Sequence, residues 1–111
     1  MKPLLAKDIA AFVERFENFQ DAEFRSLELL SAQSTLVTFA VQDAARAFDW
    51  ITISLEFQDI VDAALVADDK LHLIDMSEGV ELTFENSFKF QIKNATFFIQ
   101  AKSLKYQEGT F

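Results

Sequence analysis

Residues 50–57 read Trp50-Ile51-Thr52-Ile53-Ser54-Leu55-Glu56-Phe57, the most regular alternation in the chain. Ile51, Ile53, Leu55 and Phe57 share one parity; Trp50, Thr52, Ser54 and Glu56 share the other. Successive side chains of a strand point to opposite faces, so this segment predicts a strand with one apolar face and one wet face. That habit belongs to antiparallel sheets rather than to parallel ones covered on both sides.

The same reading extends upstream. Thr35–Val41 alternates with Val37, Phe39 and Val41 on one side, and Phe24–Leu30 precedes it across the turn Ser31-Ala32-Gln33-Ser34. Before these strands, Leu5, Ile9, Phe12, Phe16 and Phe19 step by four, three, four and three, the spacing of one helical face. A helix is therefore predicted over Pro3–Phe19, with Pro3 in the first turn, where its missing N–H is harmless. Asp43–Asp49 predicts a loop or short helix, expected to cover Trp50; otherwise Trp50 is exposed and anchors an interface.

Downstream, Gln58–Lys70 predicts a strand with a ragged start, and strands follow at Leu71–Met76, Val80–Phe84, Phe88–Lys93 and Thr96–Tyr106. Ser77-Glu78-Gly79 would form a three-residue hairpin loop with Gly79 left-handed, placing Met76 opposite Val80, Ile74 opposite Leu82 and His72 opposite Phe84. A second loop, Glu85-Asn86-Ser87, would pair Phe84 with Phe88, Leu82 with Phe90 and Val80 with Ile92, and Thr83 with Lys89 on the other face. Phe97, Ile99 and Ala101 differ in parity from Leu104 and Tyr106, so a bulge or bend is expected near Lys102-Ser103. Gly and Pro total three residues among 111, which leaves no linker. The chain reads as a single α+β domain over residues 1–111: one N-terminal helix on a twisted, mainly antiparallel sheet of about six to eight strands, open or partly closed.

Composition narrows the chemistry. There is no cysteine and one histidine, which excludes disulfides, thiolate metal sites, thiol catalysis and most imidazole sites. The 13 phenylalanines, against one Tyr and one Trp, predict a thick aromatic core, or else a Phe-lined pocket. A nucleophilic serine needs a base within hydrogen-bond reach, and the predicted hairpin carries Ser77 and His72 apart. Asp75–Gly79 lacks the glycine position and distal glutamate of a calcium loop. No catalytic residue, metal or cofactor is expected. The opening residues are not a secretory signal, because Lys7 and Asp8 interrupt the apolar run; a cytoplasmic location is expected.

The net charge is −8, unevenly placed. Residues 49–85 carry Lys70 alone against ten acids, while residues 86–111 carry four lysines against Glu108. Such a field repels nucleic acid and anionic membrane and favours a basic protein partner. Asp59, Asp62, Asp68 and Asp69 have no basic neighbour but Lys70 and, with Trp50, are the candidate partner-binding residues. Their alternative role is to guard turns and sheet edges against aggregation. A homodimer and a monomer fit the sequence equally, since the predicted terminal strand Phe97–Tyr106 presents an edge.

The runs Ile53–Phe57 (ISLEF), Leu73–Gly79 (LIDMSEG) and Lys102–Glu108 (KSLKYQE) resemble small uncharacterised bacterial domains associated with toxin–immunity gene neighbourhoods. The resemblance implies a protein that binds another protein, and it carries over no catalytic residue. Two functions are thus expected: a non-enzymatic acidic binding module, such as an immunity-type inhibitor of a basic partner, or a small hydrophobic-ligand carrier with a Phe-lined cavity.

Overall fold

A computed structural model describes all residues, Met1–Phe111. Seven antiparallel strands form one open sheet in the order β2-β3-β4-β7-β6-β5, with β1 also on β7. The strands are β1 (Lys2–Pro3), β2 (Glu23–Ser31), β3 (Ser34–Asp43), β4 (Asp49–Ala64), β5 (Val80–Phe84), β6 (Phe88–Ile92) and β7 (Phe98–Thr110). One helix, α1 (Ile9–Arg15), lies against the inner face. The α+β expectation, with its single N-terminal helix on an antiparallel sheet, is met.

Residues 50–57 form the strand their alternation predicts. Ile51, Ile53, Leu55 and Phe57 are all buried in β4, and they pair with the buried Val41, Phe39, Val37 and Thr35 of β3. The other parity carries Thr38 and Ser54, whose hydroxyls share a hydrogen bond of 2.9 Å. Between sheet and helix lie phenylalanines in mutual contact. Phe39 meets Phe24 at 4.4 Å, Phe19 at 5.4 Å and Phe90 at 6.0 Å between ring centroids. Phe12 packs edge-on against Phe16 and Tyr106. The Phe39–Phe19 contact and both Phe12 contacts are edge-to-face, as the ring quadrupole favours, while Phe24 and Phe90 lie tilted to Phe39.

The β5–β6 hairpin has the expected register, residue for residue: Phe84 faces Phe88, Leu82 faces Phe90, Val80 faces Ile92 and Thr83 faces Lys89. The expected bend in the last strand is shared with its neighbour. Phe57 opposite Leu104 and Ile60 opposite Ala101 both face the core, although each step is three residues. Asp59, with φ of 55°, supplies the left-handed residue that turns the side chains over.

Several expectations are corrected. The helix is not continuous over Pro3–Phe19. Pro3 pairs with Lys105 as strand, Leu4 is buried and Leu5 exposed, and Glu17, Asn18 and Phe19 all have φ near 60°. Left-handed residues cannot continue a right-handed helix, so α1 stops at Arg15 and the chain reverses in a tight turn that delivers Phe19 to the core. The segment expected to form a separate strand after Gln58 instead prolongs β4 to Ala64. Leu71–Met76 is not a strand. Asp68–Leu73 forms a 3-10 helix, and the predicted pairs of Met76, Ile74 and His72 with β5 do not exist. His72 is exposed on that helix and is not packed beside Phe84. Nor is β7 a terminal strand: β4 takes one of its edges, and β6 and β1 share the other. No helix is long and apolar enough to cross a membrane.

Candidate functional site

The five candidate residues do not form one site. Trp50 lies at the start of β4, and Asp59 lies nine residues further on, which places it about 30 Å away at ~3.4 Å per residue. The loop after β3 does not cover Trp50, which stays 42% exposed. It packs instead on Phe111 at 5.7 Å, and the Arg25 guanidinium sits 4.5 Å above that same ring.

Asp59 and Asp62 lie towards the far end of β4, Asp68 and Asp69 on the 3-10 helix beside Leu27, which is level with Val37 and Leu55, and all four are exposed. Two of them bond to backbone. Asp68 accepts the Leu27 N–H of edge strand β2 at 2.9 Å, and Asp62 accepts the Ala63 N–H at 2.9 Å. The β2–β3 turn joins this end through the Ile60 N–H, which donates to the Gln33 carbonyl at 3.0 Å. The same stretches expose apolar side chains: Leu29 at 67%, Val61 at 53%, with Leu30 and Leu65. Lys70 is not the only basic neighbour, because Lys102 lies level with Asp59 between the pairs Gln58–Ser103 and Ile60–Ala101; the exposed apolar groups and the surplus of carboxylates still suit a basic, partly apolar ligand.

The turn at Ser77-Glu78-Gly79 is real but belongs to no hairpin. The Gly79 N–H donates to the Met76 carbonyl at 3.0 Å, with Gly79 at φ of 72°. Asp75 accepts the Ser77 N–H at 2.9 Å and the Asn94 amide at 3.2 Å. Hydrogen bonds from Ser77, then from Asn94, hold the Asp75 carboxyl below the usual carboxylate range. The Ser77 hydroxyl is partnered by the Asn94 amide, not by His72.

A second constellation escaped the sequence reading. Arg15, at the end of α1, makes a bidentate pair with Asp43 at 2.8 and 2.7 Å, and Asp43 is 0% exposed. Glu108 of β7 bridges Arg15 at 3.0 Å and Arg46 at 3.1 Å. The Ala45 N–H adds a third bond to Asp43 at 2.9 Å. The Arg15 hydrogen bonds, outweighing burial, hold the Asp43 carboxyl low and push the Arg15 guanidinium up. A signal was available: Asp43 is the next inward position after Thr35, Val37, Phe39 and Val41, and an acid on an inward face needs a partner. A cleft of about 400 Å³ lies alongside, lined by Met1, Lys2, Arg46, Tyr106, Gln107 and Glu108. Its arginine and its glutamate are already paired with each other, so the cluster acts as a clasp between α1, the 44–46 turn and β7.

Arg15→Met is expected to lower stability by about 2 kcal/mol, below the ~3–5 kcal/mol for breaking a fully buried pair. Arg46 stays within 3.4 Å of Asp43 and retains part of the attraction. Urea unfolding at neutral pH measures this. The Asp43 contribution is fully present above the unfolded carboxyl value of about 4 and is lost as pH falls through the lower folded value. Asp43→Asn should therefore flatten the acid limb of stability below about pH 4.

No protein-family model, curated protein or solved structure matches the chain.

Proposed function

We propose that this protein is a non-enzymatic binding module of the cytoplasm that captures a basic partner protein, in the manner of an immunity-type inhibitor. The observation that carries the reading is the exposure of Asp59, Asp62, Asp68 and Asp69 on segments that also expose Val61 and Leu65, with Leu29 and Leu30 on the strand that Asp68 bonds. Carboxylates steer a basic partner into contact and reject acidic competitors. The apolar side chains supply the area whose burial holds the complex. The ring-on-ring packing of Phe39 with Phe19, Phe24 and Phe90 weighs against a carrier, because the phenylalanines that would line a cavity are occupied by one another.

The test is capture of the partner from native cells, followed by association kinetics with the purified pair. Replacing all four aspartates by asparagine removes the charge but keeps the acceptor that Asp68 offers to Leu27. The association rate is expected to fall roughly ten-fold or more at low salt and to lose its salt dependence. An acidic captured partner, or a rate indifferent to salt and to the four substitutions, defeats the reading.

A further inference from the structure

The distal part of β4 is half of an unfinished pairing. The β3–β4 ladder ends at Ser34 opposite Gln58, whereas the β4–β7 ladder continues through Asp62, Ala63 and Ala64, opposite Gln100, Ile99 and Phe98. Beyond the single bond from Ile60 to Gln33, β4 has a strand on one side only. The register shifts between Ile60 and Asp62, and the Ala63 N–H is held by the Asp62 carboxylate. Val61, Asp62 and Ala63 are all exposed there.

A free strand edge is a template for another strand, and charges beside it decide which strand it accepts. A second copy of this chain would add its own carboxylates to an edge that already carries Asp59 and Asp62, which disfavours self-pairing. A segment with alternating basic residues would meet the same carboxylates favourably and release the Ala63 N–H for main-chain pairing. We infer that an extended basic segment of the partner adds as a strand to the open edge of β4 at Val61–Ala64. This rests on the binding reading above and specifies how the partner is held: by backbone hydrogen bonds, with side-chain charge setting identity.

The probe is a synthetic peptide of alternating lysine and valine, with a glutamate–valine peptide as control. It is titrated into the intact protein at low salt while amide hydrogen exchange is followed. The lysine peptide is expected to bind and to slow exchange at residues 61–64, and the control is not. Ala63→Pro removes the donor at a position where proline suits a strand edge, and should weaken binding at least ten-fold. Val61→Lys, which places a positive charge beside Asp59 and Asp62 without touching the backbone, should weaken it as well; a normal circular dichroism spectrum accompanies each variant. If the lysine peptide binds but neither variant nor the exchange at 61–64 responds, the strand-addition inference fails while the acidic-surface reading stands. If it does not bind at all, or if the protein self-associates through this edge in sedimentation, the inference also fails. Loss of the captured partner's charge dependence would instead defeat the broader reading.

Discussion

Phe39→Ala is expected to cost about 4 kcal/mol, in the range of ~3–5 kcal/mol for deleting a buried ring. Phe39 has no exposed surface, sits on the interior strand β3, and touches rings from the turn after α1, from β2 and from β6. Its removal leaves a void bordered by side chains anchored to three separate elements, and these cannot all collapse inward together. A domain of this size has a total stability of roughly 5–15 kcal/mol, so the variant should retain a cooperative transition with its midpoint lowered by on the order of 20 °C. Phe39→Leu, which keeps most of the volume, should cost only about 1 kcal/mol. Paired urea titrations with unchanged slopes check both values. A cost for Phe39→Ala below about 1.5 kcal/mol would mean that the rings relax easily. The interior would then be loose enough to revive the carrier reading.

Gly79→Ala should lower stability by about 3 kcal/mol, through two causes that act together. At φ of 72° an alanine pays ~1–2 kcal/mol for the left-handed conformation. The added Cβ would also overlap the Asn18 carbonyl, and a backbone atom in a tight turn cannot step aside. Overpacking of that kind costs another ~1–3 kcal/mol. The damage spreads beyond the turn. The Gly79 carbonyl accepts the Lys93 N–H at 3.0 Å, and the neighbouring Met76 carbonyl accepts from Asp21 at 2.9 Å. Thermal unfolding checks the total, and near-neutral behaviour would contradict the close approach. Gly79→Asn separates the two causes: asparagine tolerates left-handed backbone but still carries the Cβ.

These two sites also mark where sequence reasoning succeeded and failed. The β5–β6 hairpin was legible to the residue because its register depends only on a short polar loop and an apolar alternation on either side. The inward faces of β3 and β4 were legible for the same reason. Leu71–Met76 was not. Its alternating leucines imitate a strand, but the operative period is three: Asp68 holds Leu27 of β2, Leu71 is buried, and Ile74 packs against the core. That choice is made by a strand more than forty residues away, which no local pattern contains. The break in α1 has a similar origin, since the left-handed turn at Glu17–Phe19 is docked against Gly79. At the candidate site the acids were named correctly as exposed. Their separation from Trp50 depended on the length of β4, which a reading that cut the strand at Phe57 could not supply.

The position of β7 in the sheet has a consequence for how the molecule is made. It joins β4 on one side to β6 on the other, yet it is the last of the strands in the chain. Until β7 is in place, no strand joins the β2–β3–β4 meander to the β5–β6 hairpin, which then meet only through side chains such as Phe39 and Phe90. Completion of the sheet therefore waits for β7 and rests on contacts between distant residues, which makes folding slow for a domain of this size.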